Sequence, residues 1–239
     1  MLINSAVKRI MNPQLEDSTI ADALTTFQRL VAAGDYEAAL EQWHNLRGQV
    51  DDYTYWLNLG SVQTLRDKLP EARFAFEKAR HSTVYSRQLE EALAQVKQSL
   101  ETGSGYGIEH NTPASTVLFF LGPMKFAFLG LLILAAILVF LKRLSTIARL
   151  TLLSAGLVPL AIAGYLQFQT VAFVSLAAHK IYEGPSAAFP TPRVVLPGNR
   201  LLAVPQGNWL RVERADGEVA WLAKDEVSKN VGLLWGAWE

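Results

Sequence analysis

The 239-residue chain has no cysteine. That excludes disulfides, thiolate nucleophiles and cysteine-ligated metals, and leaves the redox compartment open. Net charge is also absent: 22 Lys and Arg balance 22 Asp and Glu, so nothing in the composition calls for a nucleic-acid partner. Histidine is scarce, and His44, His81, His110 and His179 are scattered without metal-ligand spacing. There is no phosphate-binding glycine loop, no Gly-x-Ser-x-Gly elbow and no His-Glu-x-x-His pair. The neighbouring acids Asp51/Asp52 and Glu90/Glu91 suit solvated or capping positions at helix ends. The sequence therefore implies no catalytic, cofactor-binding or metal residues, and no enzyme.

Another absence divides the chain. From His110 through Tyr182 there is no carboxylate. Residues 1–112 hold 11 basic and 15 acidic side chains, a net of −4, whereas residues 179–239 hold seven of each. The division is thus an acidic head, a carboxylate-free middle and a neutral tail. The start, "MLINSAVKRIMNPQL", carries no apolar core of a secretory signal, so export of the head is expected to need an earlier start or the first apolar run.

After an N-terminal segment, 1–19, helical spacing of Ala, Leu, Glu and Gln runs over 20–101. "AGDYEAALEQWHNL" (Ala33–Leu46) recurs as "DKLPEARFAFEKAR" (Asp67–Arg80), aligning Ala39 with Ala72 and Trp43 with Phe76. With Trp56, Leu59, Gly60 and Ala79, this resembles the tetratricopeptide repeat, with Arg87–Leu100 as a capping helix. The resemblance implies a concave face lined by Leu24, Gln28, Val31, Leu57, Ser61 and Thr64. Peptide binding in that groove and docking through the outer faces both stay open.

A polar, glycine-rich linker, 102–114, and an interfacial helix, 115–122, come next. Two apolar runs follow, 123–141, whose single charge is Lys125, and the uncharged 150–178, and both are expected to be transmembrane helices, the second spanning about 150–172. Gly156, Ala163, Gly164 and Gln167 are the small and amide residues that membrane helix contacts use; for Gln167 a place near the interface fits equally. Between the runs lies a basic loop, 142–149, with Lys142, Arg143 and Arg149. Short basic loops stay cytoplasmic, which would put head and tail together on the periplasmic side of a bacterial inner membrane. If neither route of export operates, both domains are cytoplasmic instead.

In the tail, Leu210 and Val212 alternate with Arg211 and Glu213, "ADGE" suits a hairpin turn, and Val219 and Trp221 resume the pattern. "GNWLRVERADGEVAWLAKDEV" resembles bacterial SH3-like domains, implying a small all-β barrel over 179–228, with Trp209 and Trp221 as core aromatics and a Trp-containing tail at 229–239. The expected fold class is a multi-domain membrane protein: tetratricopeptide head, two-helix transmembrane hairpin and SH3-like barrel. That order resembles the BatE-type proteins of the bacterial aerotolerance (Bat) operon. The resemblance implies a non-enzymatic scaffold in the membrane, beside von Willebrand factor A proteins, other Bat subunits and, indirectly, a MoxR-type AAA+ ATPase. The alternative is a stand-alone envelope module that binds peptidoglycan through the barrel.

Overall fold

The computed structural model describes residues 18–83, 85–104, 130, 133, 169–188, 190–213 and 218–235. They fall into two compact units divided after Gly105.

The first unit is helical. Its helices are α1 (Ser18–Ala33), α2 (Tyr36–Asn45), α3 (Asp52–Leu65), α4 (Leu69–Ser82) and α5 (Arg87–Ser104). Side-chain caps set two of the starts: Asp35 accepts from Ala38 N at 3.2 Å, and Asp51 from Thr54 N at 2.9 Å. Pro70 occupies the first turn of α4, where its missing N–H costs no hydrogen bond. The α1–α2 and α3–α4 turns are the same device repeated. Asp35 N donates to Leu30 O and Gly34 N to Val31 O; Lys68 N donates to Gln63 O and Asp67 N to Thr64 O. Gly34 and Asp67 take the left-handed conformation that such a helix stop requires, at φ 79° and 60°. The repeated sequence is thus a repeated helical hairpin.

Two aromatic centres hold the helices together. Trp43 is fully buried, 4.5 Å from the ring of Phe27 and stacked on Tyr55, and its indole N–H donates to the Tyr55 carbonyl at 2.9 Å. Phe76 packs with Leu57, Ala72, Ala79, Leu89, Leu93 and Val96. Trp56 packs against both clusters. Helices α3 and α4 approach closely at Gly60, where an added Cβ would lie 2.5 Å from the Phe76 ring. Arg80 on α4 bridges to α5 by pairing with Glu90 at 3.0 Å.

The second unit is a seven-stranded antiparallel sheet. Its strands are β1 (Val171–Ser175), β2 (His179–Tyr182), β3 (Pro190–Val195), β4 (Arg200–Gln206), β5 (Trp209–Glu213), β6 (Val219–Ala223) and β7 (Val231–Trp235). A single helical turn, α6 (Lys224–Val227), follows β6. The strand order is β3-β2-β6-β5-β4-β1-β7. Gly207, at φ 59°, allows the two-residue turn between Gln206 and Trp209. The expected Asp-Gly turn falls at 214–217, outside the described residues. Alternate residues form the core: Leu201 and Ala203 of β4, Leu210 and Val212 of β5, Ala220 and Leu222 of β6, with Val171 and Phe173 of β1.

This architecture corrects the expected fold class. The helix expected over 150–178 overlaps β1, whose five residues are all buried and pair with β4 on one side and β7 on the other. An apolar run reads alike whether it becomes a helix or a doubly covered strand, and only its neighbours decide. "VAFVS", rich in β-branched and aromatic residues, goes to the sheet. The end of the chain does likewise: Val231–Trp235, expected in the tail, is β7. The sheet therefore begins before and ends after the small barrel expected at 179–228.

Among the described residues, no helix is long and apolar enough to cross a membrane. Apart from Gly130 and Ile133, the span expected at 123–141 lies outside those residues, as do residues 150–168 of the second span, the interfacial segment 115–122 and the loop bearing Lys142, Arg143 and Arg149. Gly156, Ala163, Gly164 and Gln167 lie outside them too. The membrane-protein description, the transmembrane hairpin and the periplasm-facing inner-membrane location derived from it are accordingly set aside. So is the tetratricopeptide-head-plus-hairpin arrangement. Helical hairpins and a seven-stranded sheet stand in its place.

Two consequences are measurable. Gly60→Ala forces the buried Phe76 ring to move, and overpacking of this kind costs about 1–3 kcal/mol. Urea unfolding followed by helical circular dichroism should show that loss, with no such loss for an alanine at exposed Asn45. In the sheet, His179 is 4% exposed, with Nε2 3.4 Å from the Asn230 carbonyl. Burial holds its pKa below the usual imidazole value, outweighing Asn230 and the charge of Glu226. A depressed folded-state pKa gives a contribution present above about 6.5, the unfolded value, and lost as pH falls through the folded one. Sheet-unit stability should therefore drop on acidification below about pH 6.5, and His179→Gln should flatten that part of the profile.

Candidate functional site

The six residues expected to line a concave groove are distributed over two helices. Leu24, Gln28 and Val31 lie on α1, and Leu57, Ser61 and Thr64 on α3. Leu24 and Val31 pack against the Trp43 cluster, and Leu57, 2% exposed, belongs to the Phe76 cluster. Ser61 Oγ donates to Leu57 O, and Thr64 Oγ1 to Gly60 O, both at 2.9 Å within their own helix. Gln28 is half-buried on α1. The apolar members thus wall the core, and the hydroxyls satisfy backbone carbonyls.

The more distinctive surface of this unit surrounds Trp56. The indole is half-buried, held from beneath by Tyr55 in an edge contact at 5.2 Å and from the side by Phe74 at 5.6 Å. Two cations approach it. Arg47, exposed after α2, holds its guanidinium carbon 5.8 Å from the ring centroid, and Lys78 of α4 brings Nζ to 6.0 Å. Lys78 also lies 5.9 Å from the Phe74 ring. Each cation–aromatic contact at a partly exposed site is worth about 0.5–1 kcal/mol. Burial depresses the Lys78 pKa, the Arg47 charge depresses it further, and Asp52 opposes them.

On the other side of α2 lies an open groove of about 760 Å³ lined by Asp35, Glu37, Glu41, His44, Gln63 and Arg66, among others. Arg66 pairs with Glu37 across it. His44 Nδ1 lies 2.9 Å from the Tyr55 hydroxyl, whose pKa is raised by burial, with the Arg47 charge opposing. Among the described residues, no group of three acidic or histidine side chains is placed to hold a metal.

The sheet unit presents a second aromatic surface. Direct register pairs place Val204, Arg211, Trp221, Tyr182 and Pro190 in one row across β4, β5, β6, β2 and β3. Trp209 stands beside that row, its ring 5.1 Å from Tyr182 and edge-on at 79°. Trp209, Arg211 and Trp221 are half-buried, and none belongs to the hydrophobic core. The expectation that Trp209 and Trp221 are core aromatics is thereby corrected. They alternate with Leu210 and Leu222, which are the core residues. The signal was present in the sequence, since a strand with Leu210 and Val212 inward must turn Trp209 and Arg211 to the opposite face.

Both units therefore place half-exposed tryptophan beside a cation, on a surface their hydrophobic cores leave over. Tryptophan, tyrosine and arginine are the residues that dominate protein-interface energetics. No protein-family model, no curated protein and no solved structure matches the chain.

Proposed function

We propose that this chain is a non-enzymatic interaction scaffold whose two units each contribute a docking surface. The observation that supports it is the recurrence of one kind of surface in two unrelated folds: Trp56 with Arg47 and Lys78 on helices, and Trp209 and Trp221 with Arg211 on a sheet. A catalytic protein would instead gather polar groups into a closed cleft. The sequence resemblance supplies the first partners to try: a Bat-type assembly with von Willebrand factor A proteins, other Bat subunits and a MoxR-type ATPase, and through it a part in stress tolerance.

The test is co-purification of the full chain with each of those proteins, in wild type and in the surface variants Arg47→Glu and Arg211→Glu. Both arginines lie off the cores, so the fold should survive while partner retention falls at least tenfold in one variant. Retention untouched by either charge reversal would sink the scaffold proposal as placed on these surfaces.

A second function has its own supporting observation. Trp209 and Trp221, half-buried beside the buried Tyr182, offer indole surface of the kind on which sugar rings stack, which fits peptidoglycan binding through the sheet. Wild type should then sediment with purified sacculi, and Trp221→Ala should stay in the supernatant. Equal sedimentation of both proteins would remove this alternative.

A further inference from the structure

The Trp56 surface carries more information than its aromatic character. Residues 1–112 have a net charge of −4, yet two cations converge on a single indole there. Arg66, Arg80 and Arg87 each meet a glutamate. Arg47 is exposed and in no ion pair among the described residues; its contact is the indole ring. Three elements build the patch: the connection after α2 supplies Arg47, α3 supplies Trp56 and Asp52, and α4 supplies Phe74 and Lys78. Phe74 and Lys78 stand one helical turn apart, as do Asp52 and Trp56, so each helix offers one aromatic and one charged side chain to the same spot.

We propose that this face docks an acidic segment of a partner protein, with a carboxylate set between Arg47 and Lys78 and an adjacent apolar side chain against Trp56 and Phe74. The proposal deepens the scaffold function and rests on it. Its physical ground is charge complementarity. The two cations repel one another, a repulsion also visible in the effect of Arg47 on Lys78. An anion placed between them removes it and is attracted by both. A basic partner segment would meet the same two cations unfavourably, while a neutral apolar one would gain nothing from the exposed Arg47 charge. Asp52 is the local competitor: its carboxylate already acts on Lys78. A partner carboxylate must share Lys78 with it, and Arg47 becomes the decisive contact.

The experiment uses the full chain and three fluorescently labelled nine-residue peptides of one pattern, EELEELEEL, QQLQQLQQL and KKLKKLKKL, read by anisotropy at low and moderate salt. The acidic peptide should bind, weaken as salt rises, and exceed the glutamine peptide by at least tenfold. Arg47→Glu should reduce its affinity at least tenfold, and Lys78→Gln severalfold. Asp52→Asn should raise affinity severalfold, and this gain cannot be produced by a misfolded variant. Equal binding of the acidic and glutamine peptides, preference for the lysine peptide, or indifference to Arg47→Glu with the helical signal intact would each overturn the proposal. If the named partners are retained through Arg47 or Arg211 but no acidic preference appears, the scaffold stands and its assigned chemistry falls. If retention ignores both arginines as well, both fall.

Discussion

The helical unit depends on Trp56. It is the residue against which both hydrophobic clusters pack, one centred on Trp43 and the other on Phe76. The hairpins also meet directly, since Tyr55, Leu59 and Val62 of α3 and Ala75 of α4 belong to the Trp43 cluster, and Trp56 carries that contact on into the Phe76 cluster. The α3–α4 approach is close at Gly60, where the Phe76 ring takes the space of a side chain, and Trp56 stands one turn earlier on α3. The same placement leaves part of the indole at the surface, where Arg47 and Lys78 find it. Packing and recognition therefore share one side chain, with its buried portion joining the cores and its remaining surface available to a partner.

The sheet unit separates those two tasks between its faces. Strict alternation sends Leu210, Val212, Ala220 and Leu222 into the core and Trp209, Arg211 and Trp221 away from it. Core packing holds the strands in register, and register alone lines up Arg211, Trp221 and Tyr182 across three strands. A slip of one residue would exchange the faces entirely, so the aromatic row and the core stand or fall together. β1 reinforces this register from the far side, with every residue buried between β4 and β7.

Much of the helical unit was legible in the sequence. The match of Trp43 to Phe76 and of Ala39 to Ala72 reflects a hairpin whose turn hydrogen bonds recur from Leu30 and Val31 to Gln63 and Thr64. The candidate surface was less legible. The repeat resemblance points to Leu24, Leu57 and Ser61, whereas in the structure Leu57 is core and Ser61 serves its own helix. Arg47 lies in a turn and Lys78 two helices away, and no local pattern announces that both reach one indole. In the sheet the reverse holds: alternation around Leu210 already implied where Trp209 points, but tryptophan in a short strand is easily assigned to the core.

What the sequence determined by itself is local: helix starts at Asp35 and Asp51, the left-handed stop at Gly34, the two-period alternation of β5 and β6, and the absence of thiol chemistry. These follow from capping, backbone sterics and side-chain direction, which act within a few residues. Only the tertiary structure decided that "VAFVS" is a central strand, that Val231–Trp235 returns to pair with it, and that Arg47, Trp56 and Lys78 meet. Apolarity says that a segment will be buried but not in what. The partner that covers it, supplied from elsewhere in the chain, chooses between helix and strand.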